Sequence, residues 1–330
     1  MTSISTSTPA APDRDLVTGS LAAVVAACMF GMLGPLTRLA GDAGLPGTGL
    51  TAWRALLGVA FLAVAIAATG GTGDFVAAMR GLDRHGGATL ATAAIAGLVL
   101  NAAMFTAFGL APVALVLMMF YTYPAGVVVV DVLLGHERLT RWRGAALALS
   151  MTGVVLVLAG SSSGTEAAPN VVAGIVLGLL ASGSQVLFIA VSRTGYRSVP
   201  AAGASLVIMG VTVVGATAIA IVAGQGEGLL VPLATPGVWP LILLAGVAAA
   251  GVSSSLFLVA IRRIGGTRAG ILMLFEPVTG VILAALVLGE SLTAAQAAGT
   301  ALVLLGALVL QRSSEPELEP LVETAAGPVV

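Results

Sequence analysis

The chain has 330 residues, of which 58% are apolar and only 9% charged. A water-soluble domain needs far more charge to cover its surface, so the composition excludes an ordinary soluble fold and makes a bilayer the expected solvent. The net charge is −1 and all fourteen cations are arginine, so the placement of charge, rather than its balance, carries the information.

Residues 1–15 are rich in Ser, Thr, Ala and Pro and are expected to be a disordered N-terminal segment. From Leu16 to Pro35 no charge occurs, and that run matches the roughly 20 residues a membrane-spanning helix needs. A signal peptide is the competing reading, but its apolar core would be shorter and would end at a small-residue cleavage site. Ten such segments follow one another, near 16–38, 50–68, 88–110, 113–134, 143–160, 171–192, 203–223, 238–261, 267–288 and 294–311. Most breaks between them carry Gly, Pro or charge, as in "GGTGDFVAAMRGLDRHGG" and "GQGEGLLVPLATPG", and read as loops. The tail 312–330 is acidic and Pro-containing and is expected to be disordered.

Arginine placement sets the expected orientation. With the N-terminus inside and ten spans, Arg80, Arg84, Arg138, Arg141, Arg143, Arg193, Arg197, Arg262, Arg263 and Arg268 fall on the inner side, as do Arg14 and Arg312 on the tails. Only Arg38 and Arg54 fall near the outer face. The positive-inside rule therefore expects both termini in the cytoplasm and rejects the reverse topology.

A repeat is visible within the chain. Shifting "FYTYPAGVVVVDVLLGHERLT" (120–140) by 153 residues superposes Pro124 on Pro277, Glu137 on Glu290, Leu139 on Leu292, Thr140 on Thr293 and Gly153 on Gly306 without a gap. The chain thus divides into a first five-helix repeat, 16–160, and a second, 171–311. Because five is odd, the two copies enter the membrane from opposite sides. The expected fold is an all-α polytopic membrane protein of ten transmembrane helices arranged as two inverted five-helix repeats. Transporter substrate sites lie near the midplane between such repeats, although duplication is also a simple way to build a large bundle.

The paired "P…LLGHERLT" and "P…VLGESLT" segments, with Arg54 in "TAWRALLGVAFLAV", make the chain similar to EamA-type members of the drug/metabolite transporter superfamily. The likeness covers roughly residues 17–311, and His136 stands where Gly is more usual. It implies ten helices around a central cavity with the fifth and tenth peripheral. It also implies transport of small metabolites such as amino acids, often outward. The second half has no counterpart of Arg54, since Val207 occupies the shifted position.

Several residues stand out as candidates for the chemistry. Pro124 and Pro277 each remove a backbone donor inside a span and are expected to kink it, freeing the carbonyls of Phe120 and Met273. Such groups are tolerated where neighbouring helices or cavity water satisfy them. Tyr123 and Glu276 precede the two prolines at equivalent positions. Glu276, an acid deep in an apolar span, is the sharpest candidate, because such a group must face the bundle interior or a wet cavity. It is the expected carrier of a coupled proton, with a carboxyl bonded to a neighbouring helix as the bland alternative.

Asp131 is a second acid for proton coupling, or else pairs with Arg138, Arg141 or Arg143 nearby. Arg54 either anchors to headgroups or reaches a substrate carboxylate. Tyr121, Phe275, Asn101, Gln185 and Ser254 complete the candidate cavity lining; the amides and serines serve equally well as bridges between helices. Aromatics gather at Phe105, Phe108, Phe120, Tyr121, Tyr123, Phe257 and Phe275. Glu137 and Glu290 belong to tight turns at opposite faces, with Thr140 and Thr293 as helix caps.

Cys28 is the only cysteine, which excludes an intrachain disulfide and a cysteine-built metal cluster, and His85 and His136 close no metal motif. No phosphate-cradling Gly-Lys-Ser/Thr loop is present, so a secondary transporter is expected rather than a nucleotide-driven one. A membrane-embedded enzyme acting on a lipid or its headgroup is the alternative, although the two buried acids are not adjacent in sequence. The expected partners are a small-molecule substrate and membrane lipid, with no cofactor, metal or nucleic acid, in a plasma-membrane monomer or homodimer.

Overall fold

The computed structural model of the chain describes residues 14–108, 110–111, 113–136, 139–160, 170–289 and 292–312. The two expected disordered ends, apart from residues 14, 15 and 312, and the two turn acids Glu137 and Glu290 lie outside these residues. The described residues are helical and contain no strand. In chain order the helices are α1 (Arg14–Gly31), α2 (Leu33–Asp42), α3 (Gly47–Ala68), α4 (Thr72–Arg80), α5 (Arg84–Phe108), α6 (Val113–Phe120), α7 (Tyr123–Leu133) and α8 (Arg141–Gly160). The second half continues with α9 (Val171–Thr194), α10 (Ala201–Val222), α11 (Val231–Ala234), α12 (Trp239–Gly246), α13 (Ser253–Leu272), α14 (Phe275–Leu288) and α15 (Ala294–Arg312). Among these residues, 8 helical stretches are long and apolar enough to cross a membrane, and α14 and α15 supply shorter apolar helices.

Large apolar side chains face outward along these helices, among them Val222 at 89% and Leu133 at 79% exposure. In water such a surface would be a liability, whereas hydrocarbon is its natural solvent. The interior is built from small residues and a few aromatics, with Ala23, Ala26, Ala27, Tyr123, Ile189, Phe257 and Leu274 buried in one central cluster.

Several boundaries differ from the sequence expectation. The stretch read as a loop after α3 contains α4, because Phe75, Ala78, Met79 and Leu82 pack onto Tyr196, Ala204 and their neighbours at one end of the bundle. The long loop after α10 is shortened by a 3₁₀ turn at Gly226–Leu229 and by α11. The expected segments 238–261 and 267–288 are divided differently. The helix bends at Gly265, whose φ of 77° and ψ of 167° are left to glycine, and it runs on to Leu272. Upstream, Val247–Val252 is wound as a π-helix between α12 and α13, a local widening that often marks functional positions.

Four pairings dominate the packing: α1 with α13, α5 with α9, α3 with α10, and α8 with α15. The last is the tightest. A Cβ on Gly153 would lie 2.6 Å from the Gly299 carbonyl oxygen and 2.8 Å from the Val303 side chain. Its counterpart on Gly306 would lie 2.9 Å from the Ala146 carbonyl oxygen and meet the Ser150 side chain. Under the 153-residue shift, 146, 150 and 153 become 299, 303 and 306, so the two sets of contacts are reciprocal. Small residues that let backbones touch are the usual way helices associate in lipid, where apolar contact alone gives no advantage.

The ends of the bundle differ in chemistry. At one end lie the start of α1 and the ends of α7 and α9, fastened by arginines. Arg263 Nη1 donates to Asp15 Oδ1 and Thr18 Oγ1, both at 2.8 Å. Arg262 donates to the carbonyls of Val199 and Tyr196 at 2.8 and 3.1 Å and lies over the Tyr196 ring. Burial pushes the Tyr196 phenol above its ordinary pKa, against the opposing pull of its hydrogen bond to Ser192 and of Arg262. Because hydrogen bonds to a charged group contribute about 1.5–3 kcal/mol each, Arg262→Gln should lower the melting temperature in detergent micelles. An unchanged melt would show that this fastening carries no stability.

The opposite end holds Trp53 and Trp239 edge to face, their centroids 5.4 Å apart. Their indole N–H groups donate to the Leu229 and Pro232 carbonyls at 2.9 and 3.0 Å. Helices α8 and α15 begin on capping threonines. Arg143 N–H donates to Thr140 Oγ1 at 3.3 Å, and Thr293 and Gln296 cap each other reciprocally.

Candidate functional site

The two proline-bearing spans break at equivalent places. α6 stops at Phe120 and α7 restarts at Tyr123, while α13 stops at Leu272 and α14 restarts at Phe275. Pro124 and Pro277 thus sit just inside the restarted helices, where a missing N–H is least disruptive. One expectation needs correcting. The Met273 carbonyl, which Pro277 should leave free, accepts the Glu276 N–H at 2.9 Å, because the chain tightens to an i→i−3 turn there.

A third discontinuity lies beside them. α1 ends at Gly31, and a Cβ there would lie 2.6 Å from the Glu276 carbonyl oxygen and 2.7 Å from Thr279 Cβ. Backbone approaches backbone at the level of Glu276, which only glycine permits. Sequence reasoning passed over Gly31 because nothing in "MFGMLGP" sets it apart from Gly34 three residues on.

Around these breaks the structure gathers polar side chains from four spans. Arg54 of α3 donates from Nη2 to Asn101 Oδ1 of α5 at 2.7 Å. Asn101 in turn donates from Nδ2 to the Gly97 carbonyl at 2.8 Å, which fixes its amide orientation. Glu276, in the first turn of α14, lies beside the Tyr121 phenol and interacts electrostatically with Arg54. Tyr123 stands close enough to feel the Glu276 charge and is 1% exposed, against 3% for Tyr121. Phe120 packs its ring against both tyrosines, with centroids 5.2 Å apart in each case.

Arg54 and Glu276 form no direct ion pair. The guanidinium turns to an amide while the carboxylate lies beside the tyrosines, and the two opposite charges interact through space. Both residues are half-buried, as are Asn101 and Phe275. An arrangement of this kind can take a small polar molecule between two fixed charges, with the tyrosine rings as an apolar wall.

Two further candidates, Gln185 and Ser254, are half-buried on α9 and α13, and no hydrogen bond joins them to the cluster among the described residues. The residue that does bridge from α9 is Ser182, whose hydroxyl meets Thr122 Oγ1 at 2.9 Å in the break between α6 and α7. Phe257 stacks on Phe188 at 6.2 Å, away from the tyrosines. The side chains of Phe105 and Phe108 lie outside the described residues. Thr279 Oγ1 contacts Cys28 Sγ at 3.5 Å, which places the lone cysteine in a helix contact.

Asp131 is not part of the cluster. It lies eight residues beyond Tyr123 on α7, roughly 12 Å toward the arginine-rich end at about 1.5 Å per residue. Its carboxylate is 2% exposed and pairs with Arg193 of α9 at 3.3 Å and with His136 at 3.6 Å. It also accepts the N–H and the hydroxyl of Thr267 at 3.2 and 3.0 Å. The sequence pointed instead to the neighbouring Arg138, Arg141 and Arg143, because a partner 62 positions further on cannot be seen in the chain's local order. Arg138 itself lies outside the described residues.

Comparison with known proteins decides the family. Residues 17–159 and 172–312 each match the model of the EamA-like transporter family, so nearly the whole chain is covered by two successive copies. The chain belongs to the EamA-like transporter family. Its two EamA repeats make it a multi-pass membrane protein of a transporter family within the drug/metabolite transporter superfamily. A protein of known crystal structure is 22% identical and superposes with a TM-score of 0.71 over 89% of this chain and 98% of its own, which shows the shared fold. No curated protein matches the chain. The polar cluster of this EamA protein draws on both repeats, with Arg54, Asn101, Tyr121 and Tyr123 from the first and Glu276 from the second.

Proposed function

We propose that this EamA protein is a secondary transporter that moves a small metabolite, such as an amino acid or another amphipathic compound, out of the cell by alternating access. The observation that carries the reading is the Arg54–Asn101 and Tyr121–Glu276 cluster, two opposite charges held apart at the junction of the two repeats. The substrate binds between these charges and against Tyr121, Tyr123 and Phe275. Glu276 carries the coupled proton, and Pro124 and Pro277 mark the points about which the spans flex. No chemical turnover accompanies transport.

The proposed architecture is ten spans in two inverted five-helix halves. Its support is the swap symmetry of the packing: α1 on α13 answers α5 on α9, while α3 with α10 and α8 with α15 pair across the halves. The proposed site is the plasma membrane, with the arginine-rich end and both termini in the cytoplasm as the positive-inside rule requires. Small-molecule substrate and lipid are the partners, and the working unit is a monomer or homodimer.

An untargeted comparison of extracellular metabolites tests the reading. Overexpression should raise at least one small polar compound outside the cell relative to an empty-vector strain, and Arg54→Ala should abolish that rise. If no compound changes in export or uptake, the transporter role of this chain fails.

A further inference from the structure

We propose that Asp131 is the latch of a gate that closes the arginine-rich side of the bundle beneath the polar cluster. Tyr123, Val127 and Asp131 follow one another at intervals of four on α7 and form a column. All three are buried, at 1%, 2% and 2% exposure. Opposite them runs the start of the ninth segment. A Cβ on Gly270 would touch Tyr123 and Pro124 at 3.7 and 3.8 Å, and one on Gly266 would lie 3.1 Å from Val127 and 3.2 Å from Asp131 Oδ2. Ile189 of α9, 1% exposed, fills the same layer from a third side, with its Cγ2 2.8 Å from that Gly266 position. Two closed layers, Val127–Gly266–Ile189 and Asp131–Thr267–Arg193, therefore separate the cluster from the arginine-rich end.

The fastening is polar while the filling is apolar and glycine-lined, which is what a reversible closure needs. Asp131 is the one group in the column that holds three elements at once: its own α7, α9 through Arg193, and the bend after Gly265 through Thr267. The glycines at 265 and 266 allow that bend, and Gly265 already departs from helical geometry with a φ of 77°. Thr267 Oγ1 and N–H both point at one carboxylate oxygen, so the bend is gripped at its first turn. Losing the carboxylate frees α9 and the Gly265 bend together, and α7 then separates from both. His136 touches the other carboxylate oxygen from the surface and follows it. The direction in which the gate works rests on the transport reading above, but the closure itself needs no substrate to be observed.

Cysteine labelling tests the latch. On a Cys28→Ser background of the full chain, Val127→Cys places a thiol in the upper closed layer. Membrane vesicles of both orientations are treated with a membrane-impermeant maleimide, and a separate Arg84→Cys protein identifies the preparation that presents the arginine-rich face. In that preparation labelling of Cys at 127 should be slow, and Asp131→Asn should accelerate it by roughly tenfold or more as the open population grows. Arg193→Gln should act in the same direction, and Asp131→Glu, which keeps a carboxylate for both Arg193 and Thr267, should stay close to slow labelling. A Val154→Cys reporter, buried on α8, distinguishes opening from unfolding. If Cys at 127 labels equally fast with and without Asp131, or if Cys at 154 accelerates alongside it, the latch is refuted. Because the readout contains no substrate, a failed metabolite comparison leaves this result standing, and a failed latch leaves the transport reading standing.

Discussion

Glu276→Gln abolishes the pH response of transport and weakens substrate binding by roughly 30-fold or more, while Glu276→Asp keeps the pH response. Glu276 lies beside Tyr121 and interacts electrostatically with Arg54, and its carboxylate is the only acidic group within the cluster among the described residues. Glutamine preserves shape and hydrogen-bonding capacity but carries no titratable proton. If Glu276 is where a coupled proton resides, flux through the Gln protein becomes flat with pH. The loss in affinity follows because a charged group of the substrate seated against Glu276 would lose its partner, which costs about 2–5 kcal/mol in binding, and 2 kcal/mol is already about 30-fold. The measurement is counterflow of the identified compound into liposomes at several pH values. Equal rates and an equal pH response for Gln and wild type would remove Glu276 from the mechanism.

The second large effect is on folding rather than flux. Gly153→Val puts side-chain atoms where the Gly299 carbonyl and the Val303 N–H now stand, 2.6 and 2.9 Å from the first added carbon. Those are backbone atoms of a continuous helix and cannot rotate aside, so α8 and α15 must separate along their length. Overpacking of a tight core costs about 1–3 kcal/mol, and this contact belongs at the upper end because both partners are main chain. Gly306→Val should cost a similar amount through Ala146 and Ser150. Gly144→Ala, on the same helix with nothing within 4 Å, provides the contrast: it should be neutral or gain a few tenths of a kcal/mol up to ~1 kcal/mol from helix propensity. Thermal unfolding followed by size exclusion in micelles ranks the three. Matching melting temperatures for Gly153→Val and Gly144→Ala would show that the seam is not close-packed.

Much of the helical plan was legible because lipid imposes a simple rule: apolar runs of sufficient length must be helices. Loops were less legible. "TGDFVAAMR" forms α4 because Phe75 and Met79 find a cavity on α10 and the turn at Tyr196, a tertiary circumstance that no local pattern announces. The candidate site was legible in one respect. Arg54, Asn101 and Glu276 stand out as polar groups in spans that otherwise avoid them, and Pro124 and Pro277 mark their spans through the shifted match. What the sequence could not supply was pairing. Arg54 meets Asn101, and Asp131 meets Arg193 and Thr267 as well as the nearby His136, because partners tens of residues away are chosen by packing. Gln185 and Ser254 were named on the same polarity argument, and it does not distinguish a residue facing the cluster from one facing another helix.

The glycine contact between α8 and α15 has a consequence for motion. Two helices whose main chains touch have no slack to slide or splay, so this pair behaves like the spine of a book. The covers are α1, α3, α10 and α13 with the elements attached to them, and they can swing only about that line. In the proposed alternating-access cycle, opening toward either end widens the bundle on the side remote from α8 and α15, where lipid must rearrange. The thickness and fluidity of the surrounding bilayer would thereby enter the work of the proposed cycle.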